Sequence, residues 1–184
     1  MRALVVAMER WVTDGSEPPA SRFPSRADGT LVVLEALKLP QIGGDTPQPP
    51  FNPLEVMDHA SVPPTAGEAY PVFVPAVDAD GIPEGGIKTA FAQAPLGSYL
   101  GWNLRKPGFG EGELCSLTGS FVPFPKETAD DDSRLPLSER YADANAYLSA
   151  VKVAADSLVA EGLMLPDDVG YVMERAETDA STLD

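Results

Sequence analysis

The 184-residue sequence predicts an α+β fold, on three observations. The run from Glu139 to Glu161 has neither proline nor glycine and repeats apolar residues at helical spacing. Several short β-prone runs end in turn residues. The 19 prolines make up about 10% of the chain against a usual ~5%, which excludes long uninterrupted helices and a large regular sheet elsewhere. With 43% apolar and 22% charged residues, the composition is that of a globular chain of about one domain.

The first element is a helix. Leu4, Val5, Met8, Trp11 and Val12 recur on one face, and Asp14-Gly15 closes it. No Ser, Thr, Asp or Asn cap precedes it, so the pattern predicts that the chain begins inside an element of something larger. Glu9 and Arg10 interrupt the apolar stretch before any small-residue cleavage site, so a signal peptide is not expected in these residues. Pro18, Pro19 and Pro24 then impose an extended connector. After the Asp28-Gly29 turn, Thr30–Leu34 reads as a strand. From Pro40 to Pro64 the prolines predict a long irregular excursion. Tyr70–Val77, the turn Asp78–Gly81 and Gly86-Ile87-Lys88 predict a small hairpin whose Pro71 and Pro75 restrict it to an edge.

Residues 96–125 mix glycines with Tyr99, Trp102, Phe109, Phe121 and Phe124 and read as a compact loop region. The long helix follows, with Ser138 as N-cap, a stripe of Tyr147, Val151, Ala154 and Leu158, and Gly162 as its stop. A second helix is expected from about Asp167, carrying Val169, Val172, Met173 and Ala176. The predicted organisation is therefore a helix over 1–15, a proline- and glycine-rich extension with short strands over 16–137, a helical hairpin over 138–177 and a frayed tail over 178–184.

Charge and composition exclude several function classes. The formal net charge of −15 repels a phosphate backbone or an anionic membrane surface, so nucleic acid is not an expected partner. No apolar run approaches the ~18 residues of a membrane span. One cysteine, Cys115, and one histidine, His59, leave nothing for a Cys/His zinc site, and neither a metal nor a cofactor is expected. No serine lies in the Gly-x-Ser-x-Gly pattern of a nucleophile elbow. The nearest candidates, Ser116 and Ser120, lack the flanking small residues, and His59 reads as a solvated or locally bonded loop histidine. Cys115 has no nearby basic residue in sequence to lower its pKa, and Asp78-Ala79-Asp80-Gly81 reads as a hairpin turn, because Ala76 and Ile87 stand where a calcium loop needs carboxylates. The Asp130–Asp132 run reads as a solvated acidic tract. Gly101-Trp102-Asn103-Leu104-Arg105 is the most chemically loaded stretch. Its structural reading packs Trp102 in a core and pairs Arg105 with a carboxylate; its functional reading makes Trp102, Asn103 and Arg105 a substrate-binding set.

Arg2–Val12, Pro18–Pro24, Asp28–Val32, Tyr70–Gly81, Tyr99–Arg105, Glu113–Phe124, Glu139-Arg140-Tyr141 and Ala160-Glu161-Gly162 together resemble the C-terminal part of a bacterial family of alpha/beta hydrolase domain-containing proteins. The resemblance covers most of the chain and is weakest over Pro40–Pro64. It implies that Arg2–Val12 is the last helix of a hydrolase core, that the nucleophile and catalytic histidine lie upstream, and that the extension covers the mouth of the active site. No catalytic residue is carried over. The expected function is that of the C-terminal part of an ester or amide hydrolase, inactive alone and partnered by a hydrolase core in the same or a separate chain. Two rival readings are a noncatalytic module docking on a separately encoded core, and a self-sufficient enzyme using His59 with Ser116 or Ser120. The helix Leu4–Val12 is expected to leave an apolar face exposed.

Overall fold

The computed structural model of the protein describes residues 1–44, 54–115, 118–181 and 183. Helix α1 spans Arg2–Asp14 and ends where Gly15 takes a left-handed backbone (φ 77°) and bonds its N–H to the Trp11 carbonyl. Its inner side is small. Ala3 is buried, and with Val6 and Ala7 it lines a cleft shared with Val159, Met164 and Leu165. The connector that follows is tied to the same region by an Arg22–Glu161 ion pair at 2.6 Å.

Strand β1 (Leu31–Val33) lies where the sequence placed one. Strand β2 (Glu55–Asp58), inside the stretch expected to be irregular, and strand β3 (Thr65–Ala69), just beyond it, form an exposed antiparallel hairpin. Its prolines bound the strands instead of interrupting them, so no ladder donor is lost. Residues 45–53 of that stretch lie outside the described residues. Strand β4 (Phe73–Pro75) pairs with β1, Val32 opposite Val74, so the hairpin expected between Tyr70 and Lys88 does not form as two strands. A tight turn with a single Val77–Pro83 bridge stands there instead. The Asp78 carboxylate accepts the N–H groups of Asp80 (3.1 Å) and Ile82 (2.9 Å) and meets Lys88 at 2.9 Å, which holds the turn without flanking strands.

After the one-turn helix α2 (Ala90–Gln93), capped by Thr89, come strands β5 (Gly97–Leu100) and β6 (Ser120–Pro123). They pair antiparallel where a loop region was expected, with Tyr99 opposite Phe121. Gly97 is required there: an added Cβ would sit 2.4 Å from the Val122 carbonyl oxygen and 2.7 Å from the Phe121 ring. The helix expected over Glu139–Glu161 is two helices, α3 (Leu137–Arg140) and α4 (Ala144–Ala160). Asp143 caps α4 by accepting from Ala146 N–H at 2.8 Å, whereas the Ser138 hydroxyl donates to Glu127. A 3-10 turn, Pro166–Asp168, leads into α5 (Val169–Ala180), and Arg2 of α1 is ion-paired with Asp168. Ala180 is buried, so α5 runs past the boundary expected for a frayed tail, of which Thr182 and Asp184 lie outside the described residues.

The core is built on α4. Tyr147, Val151, Ala155 and Leu158 are buried on one stripe, as the 3.6-residue period requires, and meet Ala176 and Ala180 of α5, Ala90 of α2 and Ala94 just beyond it. Small residues at the contacts let the helix axes approach closely. Leu96, Phe124 and Leu137 join this cluster from the β5–β6 side.

A polar network ties ribbon to turn. Arg134, 4% exposed, uses all five guanidinium N–H groups: Nε and Nη2 on Asp132 at 2.9 and 2.6 Å, Nη1 on Ser98 Oγ and the Val122 carbonyl, and Nη2 on the Pro123 carbonyl, the last three at 2.9 Å. Fully buried Ser98 donates to the Asp80 carbonyl, and the Asp80 carboxylate takes a bidentate pair from Arg140. The Phe124 ring lies against both guanidiniums, at 3.9 Å from Arg140 and 5.2 Å from Arg134.

Two predictions follow from this packing. Arg134→Leu leaves Asp132 uncompensated and three acceptors unpaired, and is expected to cost about 3–5 kcal/mol, read as a fall in the urea midpoint. Tyr141 donates to the Pro95 carbonyl at 3.0 Å, and burial raises its phenol from 10.0 to about 12. A raised phenol favours the neutral folded form. Its contribution is therefore complete below pH 10 and is lost as pH rises towards 12. The urea midpoint should decline across that window, and less steeply in Tyr141→Phe, which at neutral pH costs about 1 kcal/mol for the lost hydrogen bond.

Candidate functional site

The ribbon β5–β6 has two different faces, because side chains alternate along a strand. Ser98, Leu100, Ser120 and Val122 point one way; Tyr99 and Phe121 point the other, their ring centroids 5.0 Å apart. Beyond β5 the chain turns through Trp102 and Asn103 on the first face. The Trp102 carbonyl accepts from Ser120 Oγ at 2.9 Å, and the Asn103 carbonyl accepts from Cys115 N–H at 2.9 Å. These bonds hold Trp102 and Asn103 at the wall of a groove of about 560 Å³, closed by Ile42, Leu100, Ser120 and Val122. Trp102 also borders a smaller apolar crease of about 200 Å³ with Val74, Val77 and Pro83.

The structure thus brings Trp102 and Asn103 into one groove. Arg105 is not among the residues lining it. Arg105 is exposed and sits on an irregular hairpin closed by the Leu104–Leu114 bridge, where its Nε donates to the Leu114 carbonyl at 3.1 Å. Both readings weighed for this stretch miss that arrangement, since Arg105 meets a carbonyl and not a carboxylate. A backbone acceptor nine residues away leaves no signature in sequence.

Ser120 is half-buried and its hydroxyl is committed to the Trp102 carbonyl, while His59 occupies an exposed turn between β2 and β3. Ser116 lies outside the described residues. Cys115 is a free, half-buried thiol. The acidic tract is not simply solvated. Asp132 binds Arg134, and the hydrogen bond from that guanidinium holds its carboxyl below the usual carboxylate range. Among the described residues no three His, Cys, Asp or Glu side chains converge as metal ligands, and no helix is long and apolar enough to cross a membrane.

Sequence reasoning missed the opposite face of the ribbon. Tyr99 and Phe121 wall a second cavity of about 550 Å³, floored by Leu96, Phe124 and Leu137 and rimmed by Lys126 and Arg175. The available signal was the alternation in Ser98-Tyr99-Leu100 and Ser120-Phe121-Val122, which the surrounding glycines and prolines obscured.

A chain of mixed helices and short strands, with a groove on one face of its central ribbon, is compatible with many chemistries, and fold alone does not select among them. Comparison of whole sequences does select a class. A family model described as an alpha/beta hydrolase domain matches residues 1–174, and the chain belongs to that family. No curated protein and no solved structure matches it. Among the described residues the strands form three two-stranded antiparallel sheets, not the parallel sheet on which a nucleophile elbow is built.

The hydroxyl of Ser120 is a structural group in this geometry. Ser120→Ala should cost about 1 kcal/mol in the urea midpoint and shift the fluorescence of Trp102, whose carbonyl it anchors, in a Trp11→Phe background that removes the other indole.

Proposed function

We propose that this chain acts as the C-terminal part of an alpha/beta hydrolase, with ester or amide hydrolysis carried out once a core supplies the nucleophile and the histidine. The observation that carries this reading is the outer face of α1. Leu4, Val5, Met8, Trp11 and Val12 are 40, 57, 58, 55 and 78% exposed on one stripe, while on the other side Ala3 is buried and Val6 and Ala7 line the cleft beside Val159. A contiguous apolar stripe of this kind marks a surface that another protein layer covers. Family membership supports a hydrolase core as that layer. In this reading Trp102 and Asn103 present an indole and an amide to substrate from the groove, and Arg105 stands beside it on the neighbouring hairpin.

Chemistry within the chain supports the same division of labour. Its one imidazole is on an exposed turn, and the Ser120 hydroxyl is spent on a backbone carbonyl. The 184-residue chain is expected not to hydrolyse p-nitrophenyl esters. Turnover that disappears in Ser120→Ala, Ser116→Ala or His59→Ala would falsify the reading and favour a self-sufficient enzyme. Co-expression with a segment carrying a Gly-x-Ser-x-Gly elbow and a later histidine should give a complex. Met8→Glu with Val5→Glu is expected to weaken it by about tenfold or more, as loss of an apolar anchor does. Association indifferent to those changes argues against α1 as the docking face. The reading frame upstream of the Met1 codon decides between one chain and a separately encoded core, the second being the arrangement of a noncatalytic docking module.

A further inference from the structure

The cavity on the Tyr99–Phe121 face lies between the β5–β6 ribbon and the C-terminal part of α5, on the opposite side of the ribbon from the groove of Trp102 and Asn103. Its volume of about 550 Å³ suits a small molecule. Its floor is apolar and belongs to the core: Leu96 and Leu137 are 8% exposed and Phe124 4%. Its wall is aromatic and open to solvent at its outer edge: Tyr99 and Phe121 are 36 and 49% exposed, with ring centroids 5.0 Å apart. Such a wall favours a ring over a chain, since edge and offset contacts between rings add to the area they bury.

The mouth carries charge of one net sign. Arg175 gives its Nε to both oxygens of Asp179 at 2.9 Å, which leaves its Nη edge without a partner among the described residues. Lys126 lines the same opening, and its ammonium has no carboxylate partner among the described residues, in a chain of net charge −15 where carboxylates far outnumber cations. Two cations and one carboxylate leave the mouth with a single positive charge, which matches a monoanion and not a dianion. The planar edge of a guanidinium and an ammonium beside it suit a carboxylate. The Tyr99 hydroxyl likewise has no hydrogen-bond partner among the described residues, and burial raises its pKa, so it remains a donor.

We infer that this cavity is a binding site for an aromatic monocarboxylate, its ring between Tyr99, Phe121 and the Phe124 floor and its carboxylate on Lys126, Arg175 and the Tyr99 hydroxyl. The site stands apart from the hydrolase reading, because binding here requires neither a core nor turnover.

The test is calorimetric titration of the 184-residue chain with cinnamate and with its neutral isostere, cinnamamide. Cinnamate should bind saturably at one site, with the amide at least about fivefold weaker for loss of the charge-assisted bonds. Lys126→Ala, at an exposed position where folding is not at stake, should weaken cinnamate by about fivefold and leave the amide unchanged. Tyr99→Ala should abolish binding of both. Tyr171→Ser, at an exposed aromatic on α5 away from the cavity, should change neither. Non-saturating heats, equal affinity for acid and amide, or an affinity that follows Tyr171 instead of Lys126 would each overturn the inference. Loss of esterase activity or of core docking would not touch it.

Discussion

Arg134 carries a positive charge into the interior of a small domain, and the surrounding chain is arranged to give every one of its N–H groups an acceptor. A buried cation without partners costs several kcal/mol, so a structure that keeps one must satisfy it completely. Here the acceptors come from three places far apart in sequence: the strand β5 through Ser98, the end of β6 through the Val122 and Pro123 carbonyls, and the acidic loop through Asp132. A side chain that fastens three segments at once constrains how all of them sit.

The two concavities follow from that constraint. Ser98 must face Arg134, so the alternation of the strand sends Tyr99 to the other side and Leu100 back again. One face of the ribbon therefore leads to the groove of Trp102 and Asn103, and the other is walled by the Tyr99–Phe121 pair. Ser98 also passes the network on to Asp80, whose carboxylate is held by Arg140 on α3, and Phe124 fills the space between the two guanidiniums. Polar network and apolar core are thereby continuous, since Phe124 belongs to both.

The helix α1 stands at the opposite extreme of burial. The C-terminal helices α4 and α5 bury their apolar stripes against one another, yet α1 turns most of its large apolar residues to solvent. That stripe of α1 is the surface on which the proposed docking rests. A small domain with its own interior and one unpaired helical face is well suited to covering part of a larger fold.

What the sequence by itself determined is local. The periodic stripes of α1 and α4, the strand at Leu31–Val33, the glycine stop after α1 and the turn at Asp78–Gly81 were legible because each is decided by residues within a few positions of one another. Even the exposed stripe of α1 could be read from its spacing, and among the described residues nothing covers it. The tertiary structure alone decided the pairing of β1 with β4, of β2 with β3 and of β5 with β6, in a region whose glycines and prolines suggested loop. It moved the start of the long helix from Ser138 to Asp143, by giving the Ser138 hydroxyl a different partner in Glu127. It placed Trp102 and Asn103 in one groove and took Arg105 out of it, through a bond to the Leu114 carbonyl. The acidic tract looked solvated until Arg134, only two residues beyond Asp132, was found buried by acceptors more than ten residues away. For the strand pairings, Arg105 and Arg134 the physical reason is the same: a backbone carbonyl is chemically identical at every position, so no sequence pattern reveals which one a donor will reach, while for Ser138 the partner is a carboxylate eleven residues away that only the fold brings near.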